Sequence, residues 1–160
     1  MSDNKKPLII ITGPTAVGKT ELSIALAKRI GGEIISADSM QVYRHMDIGT
    51  AKIMPDEMQG VKHYLIDELE PDEEFNVTIF KQKCDRYIEE IYSHGNIPII
   101  VGGTGFYIQA VLYDIDFTKT ETDDAYRKEL QKFADEYGNE ALHDRLKKKK
   151  KKAAEQIHPN

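Results

Sequence analysis

The sequence predicts an α/β fold in which a parallel β-sheet is flanked by helices. Two observations support this prediction. Short apolar runs such as "LIII" at residues 8–11 and "IPIIV" at residues 97–101 are typical of buried strands in a parallel sheet. They alternate with longer segments whose apolar residues recur every three or four positions, which is the pattern of amphipathic helices.

The first strand, residues 8–11, is expected to be buried on both faces, and it leads directly into "GPTAVGKT". The spacing G-x-x-x-x-G-K-T between a strand and a helix is that of a phosphate-binding loop, whose backbone N–H groups face phosphate oxygens. Lys19 would add a positive charge, and the Thr20 hydroxyl would be a ligand of phosphate-bound Mg²⁺. The predicted phosphate-binding residues are Gly13, Pro14, Thr15, Ala16, Val17, Gly18, Lys19 and Thr20.

The remaining elements follow in order. A helix from Gly18 to Arg29 is predicted to bury Leu22, Ala25 and Leu26. Strands are expected at residues 33–37 and 64–66, separated by a long loop with one helical turn near residues 56–59. A second helix, residues 76–94, precedes the fourth strand and its glycine-rich exit, and its predicted buried residues are Phe80, Cys84, Tyr87, Ile88 and Ile91.

Length and composition indicate an ordinary globular protein. The chain has 160 residues, 40% of them hydrophobic, and no long apolar stretch or signal peptide, so we expect a cytoplasmic protein that does not interact with membranes. Its single cysteine, Cys84, is expected in the core. The formal net charge is −5 although Lys147–Lys152 contribute six positive charges, which leaves −11 on the rest of the chain. This balance is not that of a general nucleic-acid-binding protein.

Three polar segments are expected to meet at one edge of the sheet. The phosphate-binding loop, Asp38 with Ser39, and the segment Gly102–Thr104 each follow a predicted strand directly. Because parallel strands end at the same edge, these segments should line one site. The residue types fit two reactions, phosphoryl transfer to an acceptor or displacement of pyrophosphate from carbon by a nucleophile, and the spacing alone does not separate them.

The pattern changes after Asp116. The following segments are predicted to be helical, with Tyr126, Leu130, Phe133 and Tyr137 on one face, and no fifth strand is expected. We therefore predict an α/β core at residues 1–116 and a helical segment at residues 117–160. The lysine run is expected to be a solvated or disordered tail. An α/β core with four strands is incomplete, so the sequence is expected to be a fragment.

Four segments together resemble bacterial tRNA dimethylallyltransferases, also called tRNA isopentenyltransferases. They are "GPTAVGKTELS", "ISADSMQVYRHMDIGTAK", "VGGTGFYIQA" and the closing "IHPN", in this order and at this spacing. The similarity extends from about residue 8 to residue 160, and "DSMQVY" with "MDIGTAK" is far more specific than the loop. His45 stands where the family usually has glycine, and the lysine run also departs from the family pattern.

The resemblance implies transfer of a dimethylallyl group from its diphosphate to N6 of adenine 37 in tRNA, with release of pyrophosphate and Mg²⁺ as cofactor. It implies that Lys19, Asp38 and Thr104 are catalytic, with Asp38 accepting a proton or hydrogen bond from the adenine amino group. The tRNA contacts it implies are Asp38, Ser39, Met40, Gln41, Thr104 and Arg127. Residues 117–160 would begin a tRNA-binding insertion, and the enzyme is expected to be a monomer.

Other readings remain open at this point. A small-molecule P-loop kinase would hold ATP in the loop, an adenylate isopentenyltransferase would use a free nucleotide as acceptor, and a regulatory module would only bind phosphate. Individual residues also have plainer roles available to them. Asp38 could cap a helix or support Mg²⁺ indirectly, Thr104 could cap the next helix, and Arg127 could be a solvated charge.

Overall fold

The computed structural model describes residues 6–117, 124–155 and 157–158. The chain divides into two compact units, Met1–Asp116 and Phe117–Asn160. Among the described residues, no helix has the length and apolar character that crossing a membrane requires.

The first unit contains a parallel four-stranded sheet with helices on both faces, which confirms the predicted α/β class. Its elements are β1 (Ile9–Thr12), α1 (Lys19–Ile30), β2 (Gly32–Ser36), β3 (His63–Tyr64), α2 (Val77–Ser93), β4 (Ile97–Gly102) and α3 (Gly105–Leu112). The strand order is β1-β4-β2-β3. In the register, Ile9 and Ile34 both lie beside Ile99, on β4 between them.

Two hydrophobic cores form on opposite faces of the sheet. Alternate residues of a strand point to opposite faces, so Ile34 and Ile99 enter the core under α1, whereas Ile35 and Ile100 enter the core under α2 and α3. All four isoleucines are almost fully buried. The isoleucines at the centres of β2 and β4 are therefore buried because both faces of these strands are covered.

Two predictions about the amino-terminal elements are wrong. The first strand is only half-buried, because within the described residues β1 lies at the edge of the sheet. In helix α1, Leu22 is 60% exposed and Ala25 is also exposed, whereas Leu26 is half-buried against the core. The helix buries Ser23, Ile24 and Ala27 instead. Small residues permit close packing on the sheet, and the Ser23 hydroxyl remains satisfied by donating to the Thr20 carbonyl oxygen at 2.8 Å.

The third strand is shorter than expected because its chain turns early. Leu65 and Asp67 have φ of 60° and 52°, values in the left-handed region that end an extended strand after Tyr64. The preceding long loop contains the expected turn, in which the N–H groups of Glu57 and Met58 donate to the Met54 carbonyl oxygen. His45 also has a positive φ, 63°, a conformation that glycine adopts without strain.

Helix α2 is confirmed and packs as its sequence predicts. Asn76 caps its amino terminus, with its side-chain oxygen accepting the N–H groups of Thr78 and Ile79 at 3.0 Å. Phe80 and Cys84 are fully buried, and burial raises the pKa of the Cys84 thiol to about 12. The cysteine is therefore a neutral core residue, as expected.

The second unit is helical. It comprises α4 (Asp124–Tyr137), α5 (Asn139–Lys149) and α6 (Lys151–Ala154). The rings of Phe133 and Tyr137 lie 4.8 Å apart, whereas Tyr137 is 59% exposed. The lysine run is exposed as predicted, but it is not a disordered tail, because five of its six residues belong to α5 and α6.

Candidate functional site at the carboxyl edge of the sheet

The predicted phosphate-binding loop, residues 13–20, connects β1 to α1. Gly18 has φ of 81°, which only glycine adopts readily, and helix α1 begins at the next residue. The Lys19 ammonium donates to the Pro14 carbonyl oxygen, which places the positive charge over the loop. The exposed Thr20 side chain lies in the first turn of α1, where the helix dipole favours an anion.

Glycine brings the three strand ends into contact. A Cβ atom at Gly102 would lie 2.3 Å from the Ala37 carbonyl oxygen, so the chain after β2 and the end of β4 approach each other too closely for any side chain. A Cβ atom at Gly103 would lie 3.4 Å from the Gly13 carbonyl oxygen. Asp38, which follows Ala37, is thereby held beside the glycines and the phosphate-binding loop.

Asp38 is held by a turn of its own backbone. Its Oδ1 atom accepts the Met40 N–H at 2.9 Å and the Gln41 N–H at 3.4 Å. No helix begins there, so the helix-cap reading of Asp38 is wrong and the contact is an Asx-type turn. These bonds fix the orientation of a half-buried carboxylate at the end of β2.

These segments line one cleft of about 470 Å³. Its walls come from the phosphate-binding loop, the strand ends and a stretch of the long loop after β2. The predicted residues that line it are Thr15, Ala16, Gly18, Lys19, Thr20, Asp38, Gln41, Gly102 and Gly103. The expected convergence of loop, carboxylate and glycine segment therefore occurs in the structure.

Other predicted residues lie beside the cleft or elsewhere. Ser39, Met40 and Thr104 are neighbours of lining residues in the chain but are not among the residues that line the cleft. Thr104 stands at the amino terminus of α3 without a capping bond from its hydroxyl, so the helix-cap reading is wrong for this side chain. Arg127 belongs to the second unit, where it is an exposed residue of α4.

Five lining residues were not predicted as site residues. They are Glu21, Ser36, Thr50, Ala51 and Val101. Glu21, Ser36 and Val101 belong to predicted helices or strands, whereas Thr50 and Ala51 come from the loop without periodicity. The segment "MDIGTAK", which contains both, was the signal that could have identified them.

The residues of the cleft fit Mg²⁺ as a partner of phosphate. Among residues 6–117, 124–155 and 157–158, no group of three or more histidine, cysteine, aspartate or glutamate side chains could hold a metal ion. The cleft does offer hard oxygen atoms from Thr20 and Asp38. Mg²⁺ characteristically combines one or two such ligands with water and phosphate oxygens, so this sparse set suits an ion delivered with a phosphate ligand.

Comparison with known proteins identifies the family. The IPP transferase family matches residues 41–160. A tRNA dimethylallyltransferase of Lachnoclostridium phytofermentans is 69% identical over 97% of this chain and 50% of the relative. One from Staphylococcus carnosus is 58% identical over the whole of this chain and 52% of the relative. The chain belongs to the IPP transferase family.

Solved structures agree with this assignment. A tRNA isopentenylpyrophosphate transferase from Bacillus halodurans is 52% identical, with a TM-score of 0.71 over 98% of this chain and 52% of that one. A eukaryotic dimethylallyltransferase acting on tRNA is 35% identical, with a TM-score of 0.85 over 98% of this chain and 39% of that one. The chain spans about half the length of the curated relatives it matches.

Proposed function

We propose that this chain provides the reaction cleft of a tRNA dimethylallyltransferase, which transfers a dimethylallyl group from its diphosphate to N6 of adenine 37 in tRNA. The observation that carries the proposal is the meeting of the phosphate-binding loop with Asp38 in one cleft of an IPP transferase family member. The names of the two bacterial relatives described above support the choice of substrates.

The loop residues would bind the diphosphate of the donor. Backbone N–H groups around Gly18 and the amino terminus of α1 supply partial positive charge, and Lys19 supplies a full charge to the leaving group. Thr20 would hold Mg²⁺ together with diphosphate oxygens, and the bound ion would stabilise the charge that develops on pyrophosphate.

Asp38 would serve the acceptor. The adenine N6 atom forms a bond to C1 of the dimethylallyl group while the bond from C1 to the diphosphate oxygen breaks, and pyrophosphate leaves with the electron pair. The alkylated nitrogen then carries an excess proton, which the Asp38 carboxylate accepts. The Asx turn fixes Oδ1 of this carboxylate, so Asp38 can present Oδ2 to the substrate without searching for an orientation.

Apolar surface near the loop would favour an isoprenoid over a nucleotide. Val17 is 57% exposed within the loop, and Val101 lines the cleft at the end of β4. Covering such side chains with a dimethylallyl group contributes about 0.8 kcal/mol for each buried methylene. A ribose and its hydroxyls would gain nothing comparable from the same surface.

The tRNA would contact Asp38, Ser39, Met40, Gln41 and Thr104 around the cleft and Arg127 in the second unit. We further propose that the protein acts as a monomer in the cytoplasm, where a free buried cysteine such as Cys84 is usual. These proposals rest on the family and on the positions of the residues, all of which are exposed or half-buried.

Product analysis tests the proposed reaction. The assay protein is this chain, alone and joined to the half of the Lachnoclostridium relative that it does not cover; the latter is called the joined protein. With tRNA, Mg²⁺ and dimethylallyl diphosphate, we expect the joined protein to release one pyrophosphate for each dimethylallyl group found on adenine N6 by mass spectrometry. A dimethylallylated free adenine nucleotide without modified tRNA would instead indicate an adenylate isopentenyltransferase, and a phosphorylated product formed from ATP would indicate a kinase.

A further inference from the structure

Lys52 is a buried cation that the proposed reaction does not use. Its side chain is 1% exposed, and its ammonium donates to the Tyr43 carbonyl oxygen at 2.6 Å, to Asp47 at 2.9 Å and to Asp67 at 2.6 Å. All three donors of the ammonium are therefore satisfied. Burial by itself lowers the pKa of Lys52, but the hydrogen bonds to both carboxylates outweigh burial and raise it, so Lys52 stays charged.

The three hydrogen-bond acceptors of Lys52 come from two segments of the chain. Tyr43 and Asp47 belong to the loop after β2, whereas Asp67 follows β3. Backbone hydrogen bonds join the same two segments, from Glu68 and Leu69 to the Val42 carbonyl oxygen at 2.8 and 3.0 Å. Lys52 thus closes the loop of residues 43–52 on itself and fastens it to the segment after β3.

The loop of residues 43–52 supplies one wall of the cleft and is connected to Asp38 by hydrogen bonds of Gln41. Thr50 and Ala51 line the cleft directly before Lys52, and Ala51 has a strained φ of 47°. Their carbonyl oxygens accept the Gln41 side-chain amide at 3.3 and 3.2 Å. The Gln41 backbone N–H in turn donates to Oδ1 of Asp38. Lys52 is therefore linked to Asp38 through its peptide bond to Ala51 and the hydrogen bonds of Gln41.

We propose that Lys52 is a positioning residue for Asp38, acting through the Thr50–Ala51 wall and Gln41. The role of Asp38 as proton acceptor rests on the proposed function, whereas the mechanical link from Lys52 to the Asp38 turn does not. A neutral side chain at position 52 would leave Tyr43, Asp47 and Asp67 without their shared donor, and the loop would lose the contact that holds Ala51 in its strained conformation.

Lys52→Met is the direct test, and Lys81→Met is its matched control. Lys81 is also a nearly buried lysine between two carboxylates, Asp85 and Asp114, but it lies on α2 and does not line the cleft. Amide hydrogen exchange of Met40 and Gln41, measured by NMR relative to β4, should accelerate by about tenfold or more in Lys52→Met. In Lys81→Met the same ratio should stay within about threefold of wild type.

Kinetics provide a second readout that a purely structural role would not move. In the joined protein, Lys52→Met should lower kcat for transfer by about tenfold while KM for dimethylallyl diphosphate stays within about twofold, because the phosphate-binding loop is untouched. Equal amide exchange at Met40 and Gln41 in Lys52→Met, Lys81→Met and wild type would overturn the proposal. Absence of transfer by the wild-type joined protein would refute the proposed function and leave the exchange result valid.

A milder variant covers the case in which Lys52→Met does not fold. Asp67→Asn keeps the side-chain shape and removes one charge beside the ammonium. It should accelerate exchange of the Met40 and Gln41 amides by about threefold or more relative to β4. Unchanged exchange in a folded Asp67→Asn variant would also overturn the proposal.

Discussion

At the scale of single residues, the geometry of the site depends on glycine at position 102, because glycine has no Cβ atom. The Ala37 carbonyl oxygen occupies the space in which a Cβ atom of residue 102 would lie, at 2.3 Å. The obstructing atom is backbone, so it cannot move aside as a flexible side chain would. This contact sets the distance between the ends of β2 and β4, and hence the position of Asp38 relative to the phosphate-binding loop.

Gly102→Ala should therefore destabilise the protein by about 1–3 kcal/mol, the usual cost of an added methyl group in a packed interior. Urea unfolding measures the change. The control is Gly105→Ala, because nothing lies within 4 Å of a Cβ atom at the first residue of α3. Gly105→Ala should be neutral or mildly stabilising. Equal stabilities of the two variants would contradict this account of the strand ends.

The carboxylate of Asp38 provides a second prediction at this scale. Asp38→Asn in the joined protein should lower kcat by about 10²–10⁴, because an amide keeps the shape of the side chain but cannot accept the proton. Affinity for dimethylallyl diphosphate should hardly change, since Lys19 and the loop are intact. A kcat within about threefold of wild type would show that another group takes the proton.

At the scale of elements, one buried carboxylate joins four pieces of the fold. Glu33 on β2 accepts hydrogen bonds from Tyr64 on β3 at 2.6 Å, from Asn96 before β4 at 2.6 Å and from His94 after α2 at 3.1 Å. Burial by itself raises the pKa of Glu33, but these bonds outweigh it and hold the pKa below its ordinary value of 4.5. The ionised form therefore stabilises the folded chain.

Because its folded-state pKa is lowered, Glu33 stabilises the folded chain at neutral pH, and this stabilisation is lost as the pH falls. Above pH 4.5, Glu33 is ionised in both the folded and the unfolded chain, and its full contribution is present. As the pH falls, the unfolded chain binds the proton first, so stability is lost until the folded pKa is passed. Glu33→Gln should thus be less stable than wild type at neutral pH and lose less stability in this acidic window. Urea unfolding at a series of pH values measures both effects.

Glu89→Gln is the control for this experiment. Glu89 is 72% exposed and pairs only with the exposed Lys6 at 3.3 Å among the contacts described for it. Exposed pairs of this kind contribute little, so its pH dependence should match that of wild type. If stability fell with pH as steeply in Glu33→Gln as in wild type, protonation of Glu33 would not be what changes the free energy of unfolding.

Sequence patterns predicted the elements well where one periodicity dominates. Helix α2 has a single apolar face, and four of its predicted residues, Phe80, Cys84, Tyr87 and Ile91, are buried, whereas the burial of Lys81 was not predicted. Helix α1 offers apolar residues on two faces, and the sheet selects the face with small Ser23 and Ala27 because close packing matters more there than side-chain hydrophobicity. The length of β3 depends on the positive φ of Leu65, which no periodicity encodes.

At the scale of the whole molecule, the site was only partly foreseeable. Topology alone places the phosphate-binding loop, Asp38 and Gly102 at one edge, since parallel strands end together. The wall made by Thr50 and Ala51 depends on the hydrogen bonds that Gln41 donates and on the contacts of Lys52 with its two carboxylates. Such contacts join residues far apart in the chain and leave no repeating signal in the sequence.

The charge distribution predicts how strongly the chain alone binds tRNA and how that binding depends on salt. The residues outside Lys147–Lys152 carry −11, which repels a polyanion, whereas the six exposed lysines attract it without sequence preference. We expect weak tRNA binding that falls steeply with salt. Replacing all six lysines by serine should abolish it in filter-binding assays at two salt concentrations. Tight, specific binding that survives this replacement would place an RNA-binding surface elsewhere in the chain.

The central claim is that the cleft binds dimethylallyl diphosphate, and calorimetric titration of the chain tests it most directly. In excess Mg²⁺, dimethylallyl diphosphate should bind more tightly than ATP. Lys19→Met should weaken the affinity for dimethylallyl diphosphate by about tenfold or more, because the proposed charge-assisted contact of the lysine with the diphosphate would be lost. Tighter binding of ATP, unaffected by competing dimethylallyl diphosphate, would contradict the claim.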